Sequence, residues 1–381
     1  MIKRLVMWAL CLFGLIAPAL AQTVSSPVPA PPKVGARAYV LIDHNSRQIL
    51  TESNIDVAME PASLTKIMTV YVAAKELQQG HIKLDDQVVV SENAWRASGS
   101  RMFVQVGTQV SVKDLLMGII VQSGNDASVA IAEHVSGSEQ VFAEIMNQHA
   151  AKLGLKGTHF MNSTGLPDPD HYTTARDLAT LATALIRDMP EIYEWFKIPT
   201  FKYNNITQPN RNLLLRRDPS VDGIKTGHTE TAGYCLVASA KREDMRLTAV
   251  VLGTAGENAR TTAAQALLNY GFRFYETHRL YAANQPVTKA RIWKGNQDTV
   301  DLGFMEDLYV TVPQNQYQAI HTTMELEPKL IAPVTKGKPG GTLKVALGDK
   351  PLAQHPLVLL QSVEQGGIIG RLIDHIRLYF E

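Results

Sequence analysis

Ser63-Leu64-Thr65-Lys66 sets a hydroxyl and an amine three residues apart. If Ser63 opens a helix, Lys66 lies one turn further on the same face, within reach of that hydroxyl. A serine hydroxyl is inert until something takes its proton, and a lysine with a reference pKa of about 10.4 can take it only if its charged form is destabilised. Burial, the positive end of the helix and a second ammonium nearby would each push that way. Lys225 is the candidate for the second ammonium. The plain alternative, Ser63 as a helix cap after Pro61-Ala62, gives Lys66 no purpose.

Two more triplets follow in order, Ser123-Gly124-Asn125 and Lys225-Thr226-Gly227. In a chain of this length S-x-x-K and S-x-N each arise by chance about once, and K-T-G in about one chain in ten. Ser91-Glu92-Asn93 is such a decoy. Ser123 differs from it in context, standing at a polar break between two apolar helices, where a rigid turn presents side chains to a cleft. There Ser123 could bridge the two lysines and relay a proton to a leaving amine, while the Asn125 amide, donor and acceptor at once, suits a peptide bond. Lys225 on a strand offers a point charge for a carboxylate. Gly227 lets a substrate backbone approach and pair with the strand edge. The backbone N–H groups of Ser63 and His228 would together cradle a developing oxyanion.

These residues need elements to hold them. Segments 38–42 and 48–51, joined by a polar turn, read as a hairpin. Helical periodicity marks 63–79, stopped by Gly80, and then 112–121, 127–135, 142–153, 175–186 and 262–275. A polar stretch, 157–174, reads as an ordered surface loop, and 233–241 with 246–253 as a second hairpin. Strands at both ends enclosing a helical middle predict an α+β fold, an antiparallel sheet packed with helices. Beyond about residue 285 come short β-prone runs, at 289–293, 299–303, 308–312, 319–326, 342–347 and 357–363, which predict a small all-β domain.

Both ends of the chain differ from its body. Residues 1–21 have a positive start, an apolar run and Ala19-Leu20-Ala21, the pattern of a cleaved export leader. Residues 22–34, rich in proline and serine, predict an extended, poorly ordered lead-in. In 366–381 the side chains of Ile368, Ile369, Leu372, Ile373, Ile376, Tyr379 and Phe380 fall within an arc of about 140 degrees, so this segment is expected to lie on a membrane surface as an amphipathic helix. Between these ends the expected units are 35–282 and 283–365.

Composition narrows the function further. The 381 residues, at roughly 150 per domain, fit two domains with an appendage. Lys+Arg 37 against Asp+Glu 36 leaves no strongly basic surface, so no nucleic-acid partner is expected. With the leader removed one cysteine, Cys235, remains, so stability must come from packing without an internal disulfide. His149, His159 and His171 are spaced too widely for the helical zinc motifs, and neither a metal nor another cofactor is expected.

The three triplets in order are the signature of class A β-lactamases and penicillin-binding proteins. The chain resembles, more closely, the low-molecular-mass penicillin-binding proteins that are D-alanyl-D-alanine carboxypeptidases. The likeness is carried by 61–69 (PASLTKIMT), 123–127 (SGNDA), Thr164-Gly165-Leu166 with 171–175 (HYTTA), Asn210-Arg211-Asn212 and 221–229 (VDGIKTGHT). It implies a β-lactamase/transpeptidase-like domain, the small β-domain and the amphipathic tail. It also implies removal of the terminal D-alanine from peptidoglycan pentapeptide stems, covalent inhibition by β-lactam antibiotics, and a place on the periplasmic face of the bacterial inner membrane. By position, Ser63 would be acylated, Lys66 would be its base, and Ser123 and Asn125 the second element. Lys225, Thr226 and Arg211 would shape the carboxylate end, and Asp177 would support the loop and substrate binding.

Deacylation separates the enzyme alternatives. A class A lactamase carries a glutamate that activates water, and no glutamate occurs from 145 to 190. Asp168 and Asp170 sit among prolines as turn formers. A β-lactamase, a D,D-endopeptidase on crosslinks and a non-catalytic wall-binding protein remain the alternatives.

Overall fold

The computed structural model describes residues 28–380, so the expected leader, 1–21, lies outside the described residues. Strands β1 (Ala38–Asp43) and β2 (Ile49–Ser53) form the first hairpin. The helical middle comprises α1 (Lys66–Gln79), α2 (Val112–Met117), α3 (Asn125–Ser136), α4 (Glu139–Leu153) and α5 (Ala175–Asp188). Then follow β3 (Val221–Thr229), β4 (Gly233–Arg242), β5 (Met245–Thr254) and α6 (Glu257–Phe274). The five strands make one antiparallel sheet in the order β2-β1-β5-β4-β3, so β3 is an edge strand.

Alternation along the central strands explains why both faces are covered. Cys235, Val237, Val250 and Leu252 join the core beneath the helical middle. Their neighbours Leu236, Ala238, Ala249 and Val251 point the other way, onto Leu267 and Leu268 of α6. Helix α1 runs through the first core, with every residue from Lys66 to Ala74 buried. Gly80 ends it in the left-handed conformation, φ +76°.

The lead-in is less loose than its composition predicts. Residues 28–34 have no regular secondary structure, but Val28 and Val34 pack against the α6 core and the Tyr270 hydroxyl donates to the Pro29 carbonyl at 3.0 Å.

The second unit has its own apolar core, including Ile292, Leu302, Val310, Leu343 and Leu357. Ahead of it β6 (Tyr275–Tyr281) pairs with β9 (Leu308–Pro313). The other strands are β7 (Thr288–Trp293), β8 (Thr299–Gly303), β10 (Ile320–Leu326), β11 (Leu330–Ile331), β12 (Pro339–Leu347) and β13 (Lys350–Leu359), ordered β10-β12-β13-β8-β7-β11. The strand expected at 357–363 thus lies mostly earlier, and Val363 bridges to Val334 instead. The Thr277 hydroxyl, on β6, donates to Asp43 of β1 at 2.8 Å and ties the units together. Helix α7 (Ile368–Phe380) follows, with no buried residue.

Candidate active site

Ser63 lies in a short 3-10 turn, Ala62–Thr65, that leads into α1. It is not the cap: Pro61 holds that position and no side chain caps the turn. Lys66, the first residue of α1, is fully buried. Its Nζ lies 3.1 Å from Ser63 Oγ, 2.6 Å from Asn125 Oδ1 and 2.6 Å from the Thr164 carbonyl oxygen. Burial, and after it the positive charge of Arg211, lower its pKa to about 7, against the opposing pull of Asp126 and Glu139. A neutral amine has two hydrogens and one lone pair. With the hydrogens directed to the two carbonyl-type oxygens, the lone pair is left facing the Ser63 hydroxyl.

The turn before Ser123 is wider than an α-helix. Gly118–Gln122 continues α2 as a π-turn and ends at Ser123 in the left-handed region, φ +66°. π-turns of this kind are often found at functional sites. Ser123 Oγ accepts from Lys225 Nζ at 2.9 Å. The bridge from Ser123 to both lysines is not formed, because the three polar contacts of Lys66 go to Ser63, Asn125 and Thr164. Asn125 is half committed within the protein: Oδ1 accepts from Lys66 and Nδ2 donates to Ser98 O at 2.6 Å, which leaves one N–H and one oxygen lone pair toward a substrate.

Lys225 is buried on β3, and its pKa falls well below the usual lysine range through burial, then through Lys66, Arg211 and Arg260. The sequence reading made Lys225 the cation beside Lys66; the two amines do act on each other, and Arg211 adds a further positive charge to both. Both lysines resist protonation, since two ammonium groups cannot share so dry a site. Thr226 is buried beside Lys225. A Cβ on Gly227 would come within 3.0 Å of Pro61 O and 3.2 Å of Leu64 N, so the glycine lets the strand lie against the nucleophile turn. His228 is exposed, with its ring 4.0 Å from that of Tyr234. Arg211 is exposed and makes no hydrogen bond or ion pair among the described residues, and its charge reaches both Lys66 and Lys225.

Several contributors were not singled out by sequence. Arg260, on α6, is buried and donates to Gly227 O at 3.2 Å, adding a second guanidinium near Lys225. Asp126 accepts from the backbone of Met102, Phe103 and Val104 at 3.0, 2.9 and 3.2 Å, which fixes the loop facing Asn125. Gly165, φ +81°, lets Thr164 reach Lys66; a Cβ there would lie 1.8 Å from the Ala62 carbonyl oxygen. Asp126, Thr164 and Gly165 lie inside the SGNDA and TGL motifs that carry the resemblance, whereas Arg260 had no advance signal.

Other candidates have structural tasks. Asp177 accepts from Gly157 N at 2.8 Å and Thr158 Oγ1 at 2.7 Å, bracing the loop as expected, but these contacts do not touch the catalytic groups. Asp168 and Asp170 form a turn, with Asp170 N donating to Asp168 Oδ1 at 2.9 Å. Buried His171, its pKa lowered to about 4 by desolvation, pairs with Thr65 Oγ1 at 2.9 Å. The decoy Ser91 caps the short helix Glu92–Arg96. Cys235 is a buried packing group. Among the described residues no group of three or more His, Cys, Asp or Glu is arranged to hold a metal ion.

A serine beside a buried, deprotonable lysine, with a second serine-lysine pair on a neighbouring turn and edge strand, is the equipment of a serine acyl-transfer enzyme. Residues 23–256 match the family model described as D-alanyl-D-alanine carboxypeptidase, and 275–365 match the C-terminal domain of penicillin-binding protein 5. The chain is 44% identical over 379 residues to D-alanyl-D-alanine carboxypeptidase DacC of Escherichia coli, covering 97% of this chain and 94% of the relative. Its fold matches penicillin-binding protein 5 from Haemophilus influenzae with a TM-score of 0.84 at 42% identity, over 88% of this chain and 100% of that one. An ampicillin-bound penicillin-binding protein of Listeria monocytogenes matches with a TM-score of 0.60 at 27% identity, over 64% of this chain and 100% of that one. The chain belongs to the D-alanyl-D-alanine carboxypeptidase family, the low-molecular-mass penicillin-binding proteins. It is a serine-type carboxypeptidase, a hydrolase of the cell wall.

Proposed function

We propose that Ser63 Oγ attacks the carbonyl between the two terminal D-alanines of a peptidoglycan stem while neutral Lys66 takes the hydroxyl proton. The backbone N–H groups of Ser63 and His228 receive the oxyanion. Ser123, held by Lys225, passes a proton to the leaving amine, so D-alanine departs and an ester remains on Ser63; water then hydrolyses the ester. Thr226, Lys225 and Arg211 take the substrate carboxylate, Asn125 donates to the acyl chain, and Gly227 keeps the edge of β3 open for pairing. The observation that carries this reading is the pair of 2.6 Å contacts from Lys66 to Asn125 and Thr164, which aim its lone pair at Ser63.

The same ester would form with β-lactam antibiotics, as the ampicillin-bound neighbour suggests, and with no glutamate in 145–190 its turnover would be slow. The test is labelling by fluorescent penicillin with peptide mapping, together with release of D-alanine from a peptide ending in D-Ala-D-Ala. Ser63→Ala should lose both, and label retained in that variant refutes the nucleophile. Rapid turnover of nitrocefin with no D-alanine release would favour the lactamase reading.

For location, the reading is export by the leader and attachment to the periplasmic face of the inner membrane through α7. Its support is the apolar face of that helix, which is turned to solvent: Ile368 is 78% exposed and Tyr379 87%. The helix is too short to span a bilayer, at about 1.5 Å per residue. The handover from peptidase unit, 35–282, to β-rich unit, 283–365, falls in this reading just after β6, which pairs with β9 and is tied back to Asp43.

A further inference from the structure

The six-stranded sheet of the β-rich unit has two edges, and they differ. β11 (Leu330–Ile331) is two residues long with Pro333 just after it, so it offers another strand almost nothing to pair with. β10 (Ile320–Leu326) is seven residues long and holds an unshifted register with β12, its only hydrogen-bonded neighbour among the described residues. It contains no proline and no bulge. A long, regular edge of this kind is open to strand addition.

Contacts at its two ends show which main-chain groups are free. Gly348 N donates to Ala319 O at 3.1 Å and Glu327 N donates to Gly340 O at 2.9 Å, so odd-numbered residues turn their N–H and C=O toward β12. Those of Ile320, Thr322, Met324 and Leu326 point away from it, toward no other strand. The side chains of Met324 and Leu326 are exposed as well.

The sequence of the strand selects the occupant. Turned about a two-fold axis through Thr323, it is complementary to itself: Thr322 falls opposite Met324 of the second copy, Ile320 opposite Leu326, and His321 opposite Glu325. His321 is exposed and makes no hydrogen bond or ion pair among the described residues. Glu325 is engaged by Lys344 through Oε1, which leaves its other oxygen for an imidazole N–H.

We propose that β10 is a self-association edge, on which a second copy of this chain pairs antiparallel about Thr323 and joins the two sheets into one. Thr322 and Met324 exchange main-chain hydrogen bonds across the axis, and the two histidine–carboxylate pairs set the register. A single strand edge is small beside the roughly 1,600 Å² of a standard interface, so the pairing is weak in dilute solution and is read best by trapping it.

The test uses cysteine variants of the full chain with copper phenanthroline as oxidant; the native Cys235 is buried and does not compete. Thr323→Cys should form a disulfide dimer, because the copies meet there at a non-hydrogen-bonded position with Cα atoms about 4.5 Å apart. His321→Cys alone and Glu325→Cys alone should stay monomeric, their self-pairs lying about 13 Å apart, whereas a mixture of the two should give a heterodimer. Met324→Pro removes an outward N–H without touching the ladder to β12, so it should cut the Thr323→Cys crosslink about tenfold while penicillin labelling persists. A second variant, His321→Glu, sets two carboxylates against each other across the axis; it should lower the crosslink, and added salt should restore it, as salt would not for a misfolded chain. A Thr323→Cys protein that stays monomeric, or His321→Cys and Glu325→Cys proteins that each crosslink to themselves as well as Thr323→Cys does, overturns the pairing.

Discussion

Lys66 Nζ stands 3.1 Å from Ser63 Oγ, at a separation set by one helical turn. Only the uncharged amine can accept the proton of Ser63. With its pKa lowered to about 7, mainly by burial, the base is protonated and inactive below that value and competent above it. The second-order rate of penicillin acylation should therefore climb as pH passes upward through about 7, falling tenfold per unit on the acid side. Lys66→Arg, charged at every accessible pH, should acylate about 10²- to 10⁴-fold more slowly. A rate independent of pH across this range would contradict the assignment of Lys66 as base.

Arg211 acts on this titration from a distance. Its positive charge is the largest electrostatic influence lowering the Lys66 pKa. Removing it in Arg211→Gln makes protonation of Lys66 easier, so the acid limb of the acylation profile should move to higher pH. Arg211→Lys keeps the charge and should keep the limb near its original position. If Arg211 only binds the substrate carboxylate, the neutral variant will raise KM while leaving the pH profile in place.

What could be read from the chain follows the range of the interactions. Ser63 and Lys66 are three residues apart, so helical geometry nearly fixes their relation, and the runs 233–241 and 246–253 with their short polar turn likewise announce β4 and β5 as a hairpin. The position of Ser123 was legible only as a break. Its cause, a π-turn over Gly118–Gln122, leaves no periodic mark distinct from the α-helix before it. Arg260 was invisible for another reason, and Thr164 and Asp126, though inside quoted motifs, showed no partners: each acts through a contact that closes a long loop, with its partner fixed by packing and not by spacing.

Gly165 and Gly80 offer a matched comparison. Both have positive φ, +81° and +76°, so alanine at either should cost about 1–2 kcal/mol in backbone strain. Around Gly80 no atom lies within 4 Å of a new Cβ, whereas at Gly165 the Cβ would overlap the Ala62 carbonyl. Gly80→Ala should lower the melting temperature modestly and leave penicillin labelling intact. Gly165→Ala should lower it further and slow labelling, because moving the loop withdraws the Thr164 carbonyl from Lys66. Equal behaviour of the two variants, in melting and labelling together, would show that the approach of Thr164 to Lys66 does not matter for acylation.

The last helix makes a prediction about forces. Asp374 of α7 accepts from Lys294 N at 2.6 Å, so the polar side of the helix is held to the β-rich unit while Ile369, Leu372, Ile376 and Phe380 face outward. Along 366–381, Arg371 and Arg377 are balanced by Asp374 and Glu381, so electrostatic attraction to anionic lipid is weak. Binding driven by apolar burial depends little on salt, whereas binding driven by charge is screened within about 10 Å at 0.1 M. The protein should therefore sediment with neutral phosphatidylcholine vesicles nearly as well as with anionic ones, and added salt should not release it. Deletion after Gln365, or Ile369→Glu combined with Ile376→Glu, should move it to the soluble fraction while penicillin labelling persists. Unchanged partition of the deleted protein would mean that the outward apolar face serves some contact other than lipid.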